Sequence, residues 1–109
     1  MKYHVSINKN FWKSVKKLKH KYSDAEYVEI IDEIRESILL LADEGSLPPE
    51  YKDHVLRRSP YQEHNEYHLQ EHNEYHLYDD NVLVIYVRSD KRLHLRFIEV
   101  TDHESLNKS

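Results

Sequence analysis

Val82-Leu83-Val84-Ile85-Tyr86-Val87, a turn at Ser89-Asp90-Lys91, and Leu93-His94-Leu95-Arg96-Phe97-Ile98-Glu99-Val100 carry the strongest structural signal in the chain. The first run is six consecutive apolar β-formers, which predicts a central strand covered on at least part of both faces. The second alternates well enough to be its hairpin partner across the polar turn. A sheet is therefore expected in the C-terminal half, and the rest of the chain has to cover it. Beyond it, Thr101 or Asp102 is placed to cap a short final turn of helix carrying His103.

Immediately upstream, Gln-Glu-His-Asn-Glu-Tyr-His-Leu occurs twice in tandem, at residues 62–69 and 70–77. Histidines fall at 64, 68, 72 and 76, a spacing of four that keeps side chains on one face of a strand and nearly on one face of a helix. Two readings compete: a functional histidine strand whose local sequence is duplicated, or a metal-binding ladder, since histidines at i and i+4 can chelate. The period follows automatically from repeating one His-x-x-x-His unit, which favours the first. Because eight is even, a slip by one repeat returns every side chain to the same face, so register is poorly specified. The second copy suits the strand better, because His76 keeps a short spacing to Asp80, the 79–81 turn and the strand at Val82. The first copy then loops out, extends as a hairpin arm or exchanges with another molecule. Eight flexible residues change loop closure by less than ~1 kcal/mol, whereas unpaired strand edges invite a strand-exchanged homodimer.

Towards the N-terminus, Tyr3, Val5 and Ile7 alternate with polar residues, predicting a first strand over residues 2–8. Phe11, Val15, Leu18 and Tyr22 form one apolar stripe of a helix over residues 11–22. Ser23 with Glu26 makes a capping box for a second helix over residues 24–43, and Gly45, the only glycine, is its expected left-handed C-cap. Pro48-Pro49 then ends regular structure, and Tyr51-Lys52-Asp53-His54 falls in a loop or a short extended piece. The order β-α-α-β-β-β predicts an α+β domain, an antiparallel sheet of about four strands with the N-terminal helical hairpin packed on one face.

At 109 residues the chain is read as one domain, 1–109. It has no cysteine, which excludes thiolate and disulfide chemistry, and no apolar leader or span, so a soluble cytoplasmic protein with no membrane partner is expected. The net charge of −4 hides an asymmetry: residues 1–22 carry seven lysines and no acid, and residues 23–50 carry nine acids against Arg35 alone. Such a lysine run is a solvated helix face or a surface for phosphate or an acidic partner.

Three local patterns carry a family resemblance: Leu-Pro-x-x-Tyr-Lys-Asp-His ending at His54, a His76 strand followed by Asp80 and an apolar strand ending in Ile85-Tyr86, and Thr101-Asp102-His103. In these the chain resembles the RelE/ParE superfamily of bacterial toxins, within it the YafQ-like branch. The resemblance implies a RelE-like fold and the toxin of a type II toxin–antitoxin module. Such toxins enter the ribosomal A site, cleave mRNA there without metal or other cofactor, and are silenced by a cognate antitoxin. It also places His54, His76, Asp80 and His103 on family active-site positions, with Glu74 where the family can have an aspartate. Cleavage needs a base for the 2′-hydroxyl, a cation for the phosphorane and an acid for the leaving 5′-oxygen, and histidine suits either proton role near neutral pH.

The chain departs from the family pattern at Asn73, where a phosphate-contacting arginine can stand, and after His103, where Leu106 and Asn107 replace an aromatic. Phosphate binding then falls to Lys52, Arg88, Arg92 and Arg96. The duplication adds Glu71 and Glu74 to Glu63 and Glu66, so weaker catalysis than in a single-copy protein is expected. The alternatives are a ParE-like binder of DNA gyrase and an impaired toxin that only binds antitoxin; histidines flanking a histidine strand favour the enzyme. Its basic first helix and a free sheet edge suit an acidic, partly disordered antitoxin.

Overall fold

The structure, a computed structural model, describes residues 1–56 and 71–102. In chain order its elements are β1 (His4–Ile7), α1 (Phe11–Lys16) continued by a 3-10 turn (Lys17–His20), α2 (Asp24–Glu44), a second 3-10 turn (Pro49–Tyr51), β2 (His54–Val55), β3 (His72–Leu77), β4 (Val82–Ser89) and β5 (His94–Asp102). The strands form one sheet in the order β1-β5-β4-β3-β2.

β4 is the centre, as its unbroken apolar run requires. Its two neighbours pair with it antiparallel, Tyr75 opposite Val84 on one side and Val100 opposite Val84 on the other. Two features depart from the sequence expectation. The sheet has five strands and is mixed, because β1 lies parallel to β5, Val5 beside Leu95; the fifth strand is the two-residue β2, too short to leave a periodic signal. Thr101 and Asp102 belong to β5, opposite Leu83 and Val82, since the first residues of β4 need ladder partners; the final helical turn expected after them lies outside the described residues. His103 and the first octapeptide copy lie outside the described residues. The second copy forms β3.

The helices cover one face of this sheet. Phe11, Val15 and Leu18 from the first helical segment and Ile30, Ile34, Ile38 and Leu41 from α2 pack on Tyr75, Val84, Tyr86, Leu95 and Phe97. Each large side chain so buried contributes about 1.5–3 kcal/mol. The first helix is α-helical only to Lys16 and tightens to 3-10 geometry at Lys17–His20, a common way for a short helix to end. α2 starts and stops where its local signals say. The Ser23 hydroxyl accepts from the Glu26 N–H at 3.1 Å, the Glu26 carboxylate accepts from the Ser23 N–H at 2.8 Å, and Gly45 closes the helix at φ 77°. A Cβ at Gly45 would stand 3.0 Å from the Tyr3 ring, so conformation and space both require glycine.

The opposite face of the sheet carries Leu83, Ile85 and Val87, all buried, together with the polar side chains of β3. Alternation places Tyr75 and Leu77 under the helices and Glu74 and His76 on this other face.

Candidate active site

The register of the shortest strand assembles the site. β2 pairs antiparallel with β3 so that His54 lies directly opposite Glu74, which puts both side chains on the face away from the helices, with His76 two residues along β3. The Glu74 carboxylate is 1 % exposed and stands between two imidazoles, 3.2 Å from His54 Nε2 and 3.7 Å from His76 Nε2. The ring centroids of His54 and His76 are 5.8 Å apart. A carboxylate buried this deeply is stable only when partnered, and the nearer partner is the His54 ring at 3.2 Å.

Turns on both sides complete the cluster. Lys52 adopts a left-handed conformation at φ 52°, and its carbonyl oxygen lies 2.6 Å from His54 Nδ1. That oxygen can only accept, so Nδ1 carries a proton, and the ring meets Glu74 as a donor too when doubly protonated. The Lys52 ammonium pairs with Asp80, whose other oxygen is 3.9 Å from His76 Nδ1. Asp80 ends three successive left-handed residues, Tyr78, Asp79 and Asp80 at φ 50°, 54° and 69°, a conformation that L side chains resist. α2 holds this turn: Glu33 accepts from the Tyr78 N–H at 3.1 Å, Glu26 accepts from the Tyr78 hydroxyl at 3.3 Å, and the Tyr22 ring meets Tyr78 edge-on. Backbone strain retained by tertiary contacts is a common mark of a functional site.

Burial lowers the His76 pKa; Glu74 and Asp80 oppose that, and His54 and Lys52 reinforce it. His76 is thus kept neutral near neutral pH, with a lone pair for a proton. A cleft of about 450 Å³ opens beside His76, lined among others by Glu33, Tyr51, Lys52, Tyr78 and Asp80. It is large enough for a nucleotide. Single donor atoms of His54, Glu74 and His76 also lie within 4.8 Å of one another, so the same three residues could hold a metal ion in the two-histidine, one-carboxylate pattern.

Of the residues singled out from sequence, the structure brings together His54, Glu74, His76, Asp80 and Lys52. Arg96 shares their sheet face but lies on β5, opposite Val87 and beside Ser6, and Arg92 is exposed in the β4–β5 turn. Arg88 is a different case. Its guanidinium donates to Asp90 at 2.8 Å, to the Tyr3 hydroxyl at 2.9 Å and to the Gly45 carbonyl at 2.7 Å, so it ties β4 to the end of α2 and does not join the cluster. The sequence reading missed Asp53, whose two carboxylate oxygens each accept from the Tyr86 hydroxyl at 2.8 Å, and the hold of Glu33 and Glu26 on Tyr78. Only the family motif marks Asp53, and nothing local joins it to Tyr86.

The family model described as bacterial toxin of type II toxin-antitoxin system, YafQ, matches residues 3–108. None of the curated proteins compared matches the chain. Among solved structures, a metal-bound toxin from Helicobacter pylori is 24 % identical with a TM-score of 0.65, covering 95 % of this chain and 98 % of its own. A YafQ mutant from E. coli is 20 % identical, TM-score 0.64, with 95 % and 97 % covered. The E. coli DinJ-YafQ toxin-antitoxin complex gives 21 % identity and a TM-score of 0.61 over 97 % and 98 %. No helix of the described residues is long and apolar enough to cross a membrane.

Proposed function

We propose, since this chain belongs to the YafQ family of bacterial type II toxin–antitoxin toxins, that it is a ribosome-dependent endoribonuclease cutting mRNA by metal-independent acid–base catalysis. The observation that carries this reading is the buried Glu74 carboxylate between two imidazoles, one beside Asp80 and Lys52. Neutral His76 takes the 2′-hydroxyl proton, the 2′-oxygen bonds to phosphorus, and the P–O5′ bond breaks. The leaving 5′-oxygen receives its proton from the His54 imidazolium, and the products are a 2′,3′-cyclic phosphate and a 5′-hydroxyl. Each positioned acid or base contributes about 10²–10⁴ in rate. His103 is kept as a third candidate from the family pattern.

Lys52 is the cation nearest the reacting phosphate, with Arg96 on β5 and Arg92 in the β4–β5 turn as more distant electrostatic contacts. Tyr51 and Tyr78 on the cleft wall supply aromatic surface where the family's late aromatic is missing, and base stacking is favourable without being sequence-specific. The bound metal of the H. pylori toxin suggests a competitor here: an ion on His54, Glu74 and His76 would occupy the groups that move protons. E. coli YafQ is solved with the DinJ antitoxin, and an antitoxin is the partner expected for this chain. The test is His54→Ala, His76→Ala and His103→Ala, scored for growth arrest and for cleavage of ribosome-bound message. Loss of both in each variant supports the reading. Growth arrest that persists without cleavage, with inhibited DNA supercoiling, supports the gyrase-binding alternative.

A further inference from the structure

The His54 side chain is 45 % exposed, and the strand that carries it has two residues. Backbone pairing alone is a weak support for a catalytic ring. Asp53, the residue before it, points to the other side of the sheet, as alternation requires, and there meets Tyr86. The Tyr86 ring is fully buried, stacked on Phe97 at 5.6 Å between centroids and packed on Tyr75 at 5.7 Å. Its hydroxyl is therefore held by the core, and it donates to both Asp53 oxygens at 2.8 Å. Lys52, one residue earlier, is in the left-handed conformation that aims its carbonyl oxygen at His54 Nδ1, 2.6 Å away.

We propose that Tyr86 and Asp53 form a clamp across the sheet that positions His54: the buried hydroxyl fixes Asp53, and Asp53 fixes the Lys52 peptide and with it the orientation of the His54 ring. Neither residue touches the reacting groups; both are positioning residues. The arrangement matches the need for a catalytic group to be held by supporting contacts on rigid elements. Burial raises the Asp53 pKa, opposed by the Tyr86 hydrogen bond and by the charges of Arg88 and His54, so the residue sits there against a desolvation cost. The kinetic part of this inference rests on the nuclease reading; the structural part does not.

The test uses Tyr86→Phe, which keeps the ring and removes only the hydroxyl, with Asp53→Ala and the double variant. The His54 and His76 ring nitrogens are followed by ¹⁵N NMR at one fixed pH, and single-turnover cleavage is followed beside them. Tyr86→Phe is expected to abolish the hydrogen-bonded Nδ1 signature of His54 while leaving the His76 signals in place. It is also expected to slow cleavage towards the ~10²-fold that a misplacement of about 1 Å costs, with little change in KM. Asp53→Ala should do the same, and the double variant should be no worse than either single one. Wild-type His54 signals in Tyr86→Phe overturn the proposal, as do His76 signals that move as far as those of His54, or effects that multiply in the double variant. If Tyr86→Phe fails to fold, Asp53→Ala decides by the same signals. If the wild-type protein does not cleave RNA, the nuclease reading fails and the ring signals still decide the clamp.

Discussion

Replacing Glu74 with glutamine separates what this residue does for stability from what the proposed nuclease reaction asks of it. The carboxylate is 1 % exposed and its oxygen is 3.2 Å from His54 Nε2. Two unit charges at that distance attract by about 1.3 kcal/mol in water and about 5 kcal/mol at an effective dielectric of about 20. With the His54 side chain 45 % exposed, solvent screening puts the interaction in the lower half of that range, about 1.5–3 kcal/mol. If the whole of it stabilises the imidazolium acid, its loss corresponds to a fall of about 10–10²-fold in rate, at about 1.36 kcal/mol per decade. Folding stability should change far less. Glu74→Gln removes a buried charge whose desolvation offsets the pairing, keeps the volume, and leaves one imidazole neutral and the other half in water, so about 1 kcal/mol or less of change is expected. Single-turnover cleavage of ribosome-bound message and urea denaturation measure the two separately. A Glu74→Gln protein that cleaves at the wild-type rate refutes the reasoning. So does one whose loss of activity is matched by a loss of several kcal/mol in stability, because Glu74 would then be a structural residue.

Further expectations follow from the same geometry. The His76 pKa is lowered by burial, so above the unfolded value of about 6.5 both states are neutral there; as pH falls below it the unfolded chain binds the proton first, and stability declines until pH has passed below the folded value. His76→Gln should flatten that part of the stability–pH curve, which denaturant titrations between pH 7 and pH 4 would show. Cleavage should survive a chelator, and added zinc or copper should inhibit through His54, Glu74 and His76; activity that needs the metal would contradict this. Deleting residues 62–69 should leave β3 and its register with β4 intact and raise the cleavage rate by removing Glu63 and Glu66. Unchanged solution mass and unchanged rate after that deletion would show that the duplication has neither of the consequences expected of it.

The features legible before folding are those whose cause is local. The ends of α2 were legible because Ser23, Glu26 and Gly45 act on backbone groups within four residues of themselves. β4 and the body of β5 were legible because six consecutive apolar β-formers have few other places to go. The second octapeptide copy was the better strand because the short spacing from His76 to Asp80 and Val82 is a property of the chain alone. Tertiary structure decided everything whose partner is far away in sequence. The parallel seat of β1 beside β5, the continuation of β5 through Thr101 and Asp102, and the two-residue β2 all depend on which backbone groups are left unpaired once the rest of the sheet has formed. Arg88 could equally have met a phosphate until the fold brought Asp90, Tyr3 and Gly45 around it. The site divides in the same way. Histidine and carboxylate chemistry and a motif named most of its residues, but a single hydroxyl such as that of Tyr86 carries no local sign of its partner, and only packing set it against Asp53, 33 positions earlier in the chain.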